Sequence, residues 1–316
     1  MSTPEAILKG INGFFPRIDT TTAMAVLTVN ALRDALLSGE HIYPLVALTG
    51  VAAATVVPLA IYRNIYYCIS VGYGASIATM SLTLMWAFDV SFPPSASSPA
   101  SSVLAILSFL YGVRLLSYII LRLITVQSMS NQGKAKQTDK MTQPKSIILA
   151  TILSALYACM VAPVLYVLRG EKSDQKGLVR SLFLWTGIYL AFAGLVLEMV
   201  ADQHKYHSKR RYALAYGHEK FMGPTRGTYS LCRHPNYLGE LVFWFGLYMG
   251  GVMDFGSSST AWIASTAGLF CIVYIMLGST KRLELKQTEH YGRQPKFEQW
   301  RRRVRAPLVP GVHGNL

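Results

Sequence analysis

Apolar residues occur along this chain in long, almost uncharged blocks that are separated by short polar segments. The blocks 146–168 and 179–201 show the pattern most clearly. About 20 apolar residues in a helix match the hydrocarbon thickness of a bilayer. A helix of that length in a soluble core would show a polar stripe, which most of these blocks lack. The pattern therefore predicts an all-α, multi-pass integral membrane protein.

Eight blocks are candidate membrane-spanning helices. The first is the weakest, because Asn30, Arg33 and Asp34 interrupt it. It is either a span with an internal polar pair or a helix that lies at the membrane interface. We therefore expect a bundle of seven or eight transmembrane helices. The candidate spans are 22–38, 44–62, 65–88, 101–124, 146–168, 179–201, 236–254 and 259–278.

Composition agrees with this fold class and narrows the chemistry. The chain is 52% hydrophobic and 15% charged, whereas soluble domains carry roughly 25% charged residues. Three of the four cysteines lie inside apolar blocks, which favours packing over disulfides or zinc. The histidines lack the spacing of a metal-binding helix. We expect no bound metal.

The basic residues predict an orientation. Lys and Arg are abundant in 125–145, 202–235 and 281–305, whereas 89–100 has none and 169–178 balances them with acids. Because basic loops stay in the cytosol, we expect these three segments, and the C-terminus, to be cytosolic. The net charge of +14 then faces lipid headgroups rather than nucleic acid. An endoplasmic reticulum membrane is the default location in a eukaryote.

The segment 226–240 carries the densest cluster of chemically capable residues. Pro235 suits the first turn of a helix, and that helix continues into the span 236–254. A helix amino terminus carries partial positive charge and free amide donors, so this end is a natural seat for phosphate. Arg233 and His234 add side-chain donors there.

The first two turns of that helix add acceptor groups. Asn236 and Glu240 are four residues apart and share one face, and Gly239 allows a close approach beside them. A carboxylate one turn into a membrane helix needs a partner. A helix cap with topology-fixing charges explains any one of these residues equally well, whereas their combination favours a functional site.

Two further stripes of polar residues follow helical spacing. Glu198, Asp202, Lys205 and Lys209 lie along one face at the end of the span 179–201. They form either a ladder of ion pairs at the membrane surface or one wall of a cytosolic cavity, in which Asp202 accepts hydrogen bonds from hydroxyls or an amide.

The second stripe lies within the span 101–124 and consists of Tyr111, Arg114, Tyr118 and Arg122. Arg122 is close enough to the boundary to snorkel, whereas the deeper Arg114 needs an anion or a wet cavity. Tyr111 either donates a hydrogen bond or proton to a substrate carbonyl or packs as an ordinary aromatic residue.

The C-terminal segment 281–305 looks like an amphipathic tail that lies on the headgroups. Its aromatic residues Tyr291, Phe297 and Trp300 suit the interface. The alternative is that Glu284, Glu289 and His290 turn inward and close the cavity. Both interpretations of the segment stay open.

No nucleophile, metal or phosphate-loop motif is present, so a bound cofactor is the expected source of chemistry. The string Leu231-Cys-Arg-His-Pro-Asn-Tyr-Leu-Gly-Glu240, preceded by Gly112-x-Arg114-Leu115 and Glu198-x-x-x-Asp202-Gln203, resembles the steroid 5α-reductase C-terminal family. The match is nearest to the branch with an Arg-His-Pro-Asn-Tyr-x-Gly-Glu motif. The resemblance covers about 105–310, so we expect unassigned transmembrane helices over 1–100 and a reductase-like membrane domain over 101–316, packed as one unit.

The resemblance implies NADPH-dependent reduction of a carbon–carbon double bond conjugated to a ketone, in a hydrophobic substrate such as a steroid. It places Tyr111 as the residue that polarises the carbonyl. The partner glutamate of that family has no convincing match here, and Met222 lies near the position of a cofactor-contacting arginine, for which Arg226 or Lys220 would substitute. The predicted cofactor-binding residues are Arg114, Asp202, Lys209, Arg226, Arg233, His234, Asn236, Tyr237, Glu240 and His290.

Two other functions remain open. An isoprenylcysteine-type methyltransferase, which uses S-adenosylmethionine, shares the architecture and an Arg-His-Pro string, but has a bulky residue where this chain has Glu240. A non-catalytic lipid-binding or scaffold protein that kept the fold is the third possibility. A transport function is disfavoured because the polar residues gather at one membrane face.

Overall fold

The computed structural model describes residues 20–63, 65–93, 99–125, 142–170, 177–216, 221 and 223–312, and this part of the chain is helical without any strand. The loop around 126–141, Lys220 and Met222 lie outside the described residues. The α-helices are α1 (Thr20–Leu37), α2 (Ile42–Tyr62), α3 (Ile65–Ile69), α4 (Val71–Ala87), α5 (Ala100–Thr125), α6 (Gln143–Gly170), α7 (Leu178–Tyr216), α8 (Pro235–Gly251), α9 (Ser259–Tyr291) and α10 (Pro295–Arg303).

Local sequence explains several helix boundaries. Pro235 and Pro295 open α8 and α10, as expected for a residue without an amide donor. Ser258 caps α9, because its Oγ accepts a hydrogen bond from the amide of Ala261 at 3.2 Å. The amino end of α8 is therefore where the sequence pattern places it.

Five helices of the described chain are long and apolar enough to cross a membrane, which confirms a helical membrane protein. They are α2, α5, α6, α7 (over Leu178–Lys209) and α9. The expected count of seven or eight spans is not reached by this measure. Polar residues interrupt α1, the predicted span 65–88 is divided into α3 and α4, and α4 and α8 have 17 residues each. A helix of that length is about 26 Å long.

Glycines allow two pairs of helices to pack with almost no space between their backbones. In the α7–α8 pair, a Cβ on Gly239 would lie 2.6 Å from the amide nitrogen of Glu198. In the α4–α5 pair, a Cβ on Gly112 would lie 2.4 Å from the amide nitrogen of Ala78. Small residues at helix interfaces are typical of membrane bundles. These contacts bring the polar stripes of α5 and α7 toward α4 and α8.

One large apolar core joins α1, α2 and α4 to α9, and a smaller second cluster lies beyond the polar end of α7. Phe297 and Trp300 of α10 are buried in this second cluster against Ala201 and Tyr229. The indole of Trp300 donates to the carbonyl of Tyr229 at 3.1 Å. The expectation that these two aromatic residues lie among headgroups is therefore wrong, because protein atoms bury both rings.

Candidate functional site

Arg114 joins α5 to α7 through two carboxylates. Its Nη1 lies 2.6 Å from Glu198 Oε1 and its Nη2 lies 2.6 Å from Asp202 Oδ2. Both acids are buried, and the Arg114 side chain is 15% exposed. The hydroxyl of Tyr118 also donates to the carbonyl of Asp202 at 3.2 Å. The predicted need of a deep guanidinium for an anion is thus met within the protein.

A second buried network connects α4, α5 and α8 through Tyr73. The Tyr73 hydroxyl lies 2.8 Å from Glu240 Oε1 and 3.4 Å from the Tyr111 hydroxyl, and it accepts the indole N–H of Trp244 at 2.9 Å. Tyr111 is fully buried, and its ring stacks on Phe243 with centroids 4.1 Å apart. Both alternatives for Tyr111, aromatic packing and a hydrogen-bonding role, are therefore compatible with its surroundings.

The loop before α8 is held by α9 and by the chain after α10. Glu284 of α9 contacts the Arg233 guanidinium at 2.8 Å and His234 Nε2 at 2.7 Å. The amides of Arg233 and His234 donate to the carbonyls of Ala306 and Pro307 at 2.9 and 3.0 Å. Burial lowers the pKa of His234 below its ordinary value. A His234 imidazole with its proton on Nε2 donates to Glu284.

Four cations from three helices influence one another electrostatically, and we call them the basic end: Arg122 of α5, Lys205 and Lys209 of α7, and Lys286 of α9. Lys209 lies within electrostatic range of Arg122 and Lys286, and Lys205 lies within range of Arg122 and Lys209. In the described part of the chain, no carboxylate lies within ion-pair distance of any of the four, and Asp202 lies within electrostatic range of Arg122 and Lys205. The basic end is therefore suited to an anion.

The remaining predicted cofactor residues lie outside the basic end. Arg226 and His290 are exposed, and the ring of Tyr237 stacks on the imidazole of His234 with centroids 5.6 Å apart. Asn236 is half-buried, and its Oδ1 is a buried atom that has no hydrogen-bond partner among the described residues. Their predicted roles toward a cofactor stay predictions.

Buried acceptor atoms without partners indicate places where a ligand can donate hydrogen bonds. Besides Asn236 Oδ1, the second carboxylate oxygen of Glu198 has no partner in the described chain. Such atoms are unfavourable unless a donor reaches them. Asn236 lies at the start of α8, and Glu198 packs against α8 at Gly239. An amide or a sugar hydroxyl is the kind of donor that fits both.

A small crevice lies between α6, α8 and α9. It contains about 170 Å³ of unfilled space, which includes its opening, and its walls include Met160, Trp244 and Ile272. Trp244 is the residue that also donates to Tyr73. Trp244 thus belongs both to the wall of the crevice and to the network around Tyr73.

Sequence reasoning missed Tyr73 and Trp244 and left Glu284 as an alternative. Tyr73 carries no charge and has no spacing relation to the predicted stripes. The available signal was the pair Gly74 and Ala78, four residues apart, since small residues at this spacing mark a helix interface. A Cβ on Gly74 would lie 2.8 Å from the amide nitrogen of Leu116.

A comparison with family models gives one match, to the family described as "Protein of unknown function (DUF1295)", over residues 64–304. That span is well over half of the 316 residues. The chain belongs to this family. No curated protein and no solved structure matches it. The DUF1295 match includes Tyr73, Arg114, Glu240 and Glu284, so both buried networks lie within the family domain.

Proposed function

We propose that this protein is a membrane-bound, NADPH-dependent reductase that reduces a carbon–carbon double bond conjugated to a ketone in a lipid or steroid-like substrate. Membership of the DUF1295 family is compatible with the resemblance to the steroid 5α-reductase C-terminal family, carried by the Arg-His-Pro-Asn-Tyr-x-Gly-Glu motif at 233–240. The basic loops and the C-terminus face the cytosol, and α1, α4 and α8 complete a bundle of up to eight spans.

The observation that carries the proposal is the basic end. None of Arg122, Lys205, Lys209 and Lys286 forms an ion pair with a carboxylate in the described chain, and Asp202 is the acid within electrostatic range of Arg122 and Lys205. The phosphates of NADPH supply several negative charges, which such a cluster attracts. The sulfonium of S-adenosylmethionine is a cation. The charge of the basic end therefore favours the reductase over the methyltransferase.

Two buried acceptor groups close to the first turns of α8 also fit NADPH. Asn236 Oδ1 and Glu198 Oε2 are buried acceptors that lack partners in the described chain. The carboxamide and ribose hydroxyls of the cofactor are donors of the required kind. When bound, the cofactor supplies a hydride. In this assignment Arg114 and Asp202, which pair with each other at 2.6 Å, would also contact the cofactor.

The substrate side is apolar. In this assignment a hydrophobic substrate reaches Tyr111 from within the membrane, past the crevice beside Trp244. In this assignment Tyr111 donates a hydrogen bond to the ketone oxygen as negative charge develops on it. A low-dielectric, buried position makes such a donor more effective than it is in water.

A ligand panel on the detergent-purified protein tests the proposal. NADPH at a hundredfold excess over its Kd is expected to stabilise the protein by about 2.7 kcal/mol, because it binds only the folded state. The measurement is the melting temperature with NADPH, NADH, S-adenosylmethionine and inorganic phosphate. Stabilisation by S-adenosylmethionine and not by NADPH would identify a methyltransferase. An increase in melting temperature with phosphate as large as that with NADPH would show that the basic end binds anions without specificity for NADPH.

One observation favours a non-catalytic lipid-binding or scaffold protein. Arg114 is already neutralised by Glu198 and Asp202, and Tyr111 is fully buried. A structural network of this kind needs no cofactor. This function predicts that neither nucleotide changes the melting temperature.

A further inference from the structure

Tyr73 lies at the centre of a hydrogen-bonded chain that runs from Glu240 to Tyr111. The Tyr73 oxygen is 2.8 Å from Glu240 Oε1 and 3.4 Å from the Tyr111 hydroxyl oxygen. Glu240 is buried and Tyr111 is fully buried. The contacts join α8, α4 and α5, which are separated in sequence by 167 and 38 residues along the chain.

Because Tyr73 can both donate and accept, the hydrogen bonds between Glu240, Tyr73 and Tyr111 can run in two directions. A tyrosine oxygen has one proton to donate and lone pairs that accept. Trp244 donates its indole N–H to Tyr73 at 2.9 Å, which leaves Tyr73 to serve Glu240 and Tyr111 with one donated and one accepted bond. An ionised Glu240 accepts from Tyr73, and Tyr73 then accepts from Tyr111. A protonated Glu240 donates to Tyr73, and Tyr73 then donates to Tyr111.

Reversal of these hydrogen bonds decides whether Tyr111 can donate its proton to a ligand. While Tyr111 donates to Tyr73, its proton is used inside the protein. After one proton reaches Glu240, Tyr111 accepts from Tyr73 and its own proton is free to bind another oxygen. The groups that lie around Glu240 in the described chain are Tyr73, Tyr111, Arg114, Tyr157, Glu198, Asp202 and Tyr237.

We propose that Tyr73 is a positioning residue that passes a proton from the Glu240 carboxyl group to Tyr111. This inference rests on the proposed reductase function. A hydride, supplied by the reduced nicotinamide, adds to the β-carbon of the enone, and the electrons of the double bond move to the ketone oxygen. Tyr111 gives its proton to that oxygen, Tyr73 reprotonates Tyr111, and Glu240 reprotonates Tyr73.

The step balances. One hydride and one proton enter the substrate, the enol rearranges to the saturated ketone, and Glu240 is left as a carboxylate that regains its proton from water. Buried networks of this kind polarise along their length, so the middle member matters even though it never touches the substrate.

The test compares three tyrosine-to-phenylalanine variants of the full-length protein with 4-cholesten-3-one as the probe. Tyr73→Phe removes the middle hydroxyl of the proposed relay, and Tyr111→Phe removes the hydroxyl that contacts the substrate. Tyr157→Phe is the matched control, because Tyr157 is buried with its ring 5.2 Å from that of Tyr73, but its hydroxyl bonds the carbonyl of Cys68 instead. One readout is NADPH oxidation. The other is the infrared carbonyl stretch of the bound probe without cofactor.

We expect Tyr73→Phe to lower kcat by at least about tenfold while KM stays within about a factor of two. It keeps the shifted carbonyl band of the bound probe, because Tyr111 still donates. Tyr111→Phe loses that shift, and Tyr157→Phe changes neither readout. A merely structural Tyr73 would alter kcat, KM and the carbonyl band together.

Three results overturn the relay. They are an unchanged kcat in Tyr73→Phe, a joint loss of all readouts in that variant, and a wild-type protein that binds NADPH without reducing the probe. Each of these leaves the cofactor assignment standing. Failure of the wild-type protein to bind NADPH overturns the proposed function itself, and the relay with it.

Discussion

Replacing Arg114 with methionine is expected to lower the free energy of unfolding by about 3 to 5 kcal/mol, the usual penalty for removing one partner of a buried ion pair. Glu198 and Asp202 are both buried, and Arg114 is the cation that contacts them at 2.6 Å. Without it, two carboxylates remain next to each other in a low-dielectric environment. The measurement is thermal or denaturant unfolding of the purified protein in a single detergent.

Arg33→Met is the matched control. Arg33 pairs with Asp89 at 2.5 Å, but its side chain is 37% exposed and that of Asp89 is 76% exposed. An exposed pair of this kind contributes about 0 to 1 kcal/mol. Equal destabilisation by the two variants would show that the Arg114 network does not hold α5 against α7.

Replacing Glu284 with alanine is expected to release the C-terminal segment from the amino end of α8, with a loss of about 3 to 5 kcal/mol. Glu284 is the shared partner of the buried Arg233 and His234. Its removal leaves the Arg233 cation without its carboxylate. The amides of Arg233 and His234, which donate to Ala306 and Pro307, should exchange hydrogen for deuterium faster in the variant.

Glu298→Ala provides the comparison for this second prediction. Glu298 pairs with Arg302 at 3.3 Å on the exposed surface of α10, so its removal leaves no buried charge without a partner. In Glu298→Ala, hydrogen exchange at the amides of residues 233 and 234 should match that of the wild-type protein. Unchanged exchange at these two amides in Glu284→Ala would contradict the role of Glu284 as the anchor.

Helix positions were predictable because hydrophobic block length and helix-opening prolines are local features. The sequence alone places α5 and α6 close to their observed bounds and starts α8 at Pro235, and it starts α7 and α9 correctly although both helices continue well beyond the predicted spans 179–201 and 259–278. The span 65–88 is the exception, since its division at Ser70 depends on packing against other helices. Interruptions of that kind leave no mark on hydropathy.

The candidate site was predictable where its residues share a helical stripe. Arg114 and Asp202 were identified separately from spacing, and the structure pairs them. Tyr73 and Glu284 were harder, because their importance comes from partners 167 and 50 residues away in the sequence. Burial of Phe297 and Trp300 is likewise a tertiary property, since an amphipathic pattern looks the same against protein and against headgroups.

The most direct test of the central claim, an NADPH seat at the amino end of α8, is the affinity of NADPH for the wild-type protein and for Asn236→Ala, measured by nicotinamide fluorescence. Asn236 Oδ1 has no partner among the described residues, so its removal should leave the melting temperature unchanged. We predict that the wild-type protein binds NADPH and that the variant binds it at least about tenfold more weakly, the effect of one lost hydrogen bond to a buried group. Equal affinity in both proteins, or no binding by the wild type, would contradict the claim.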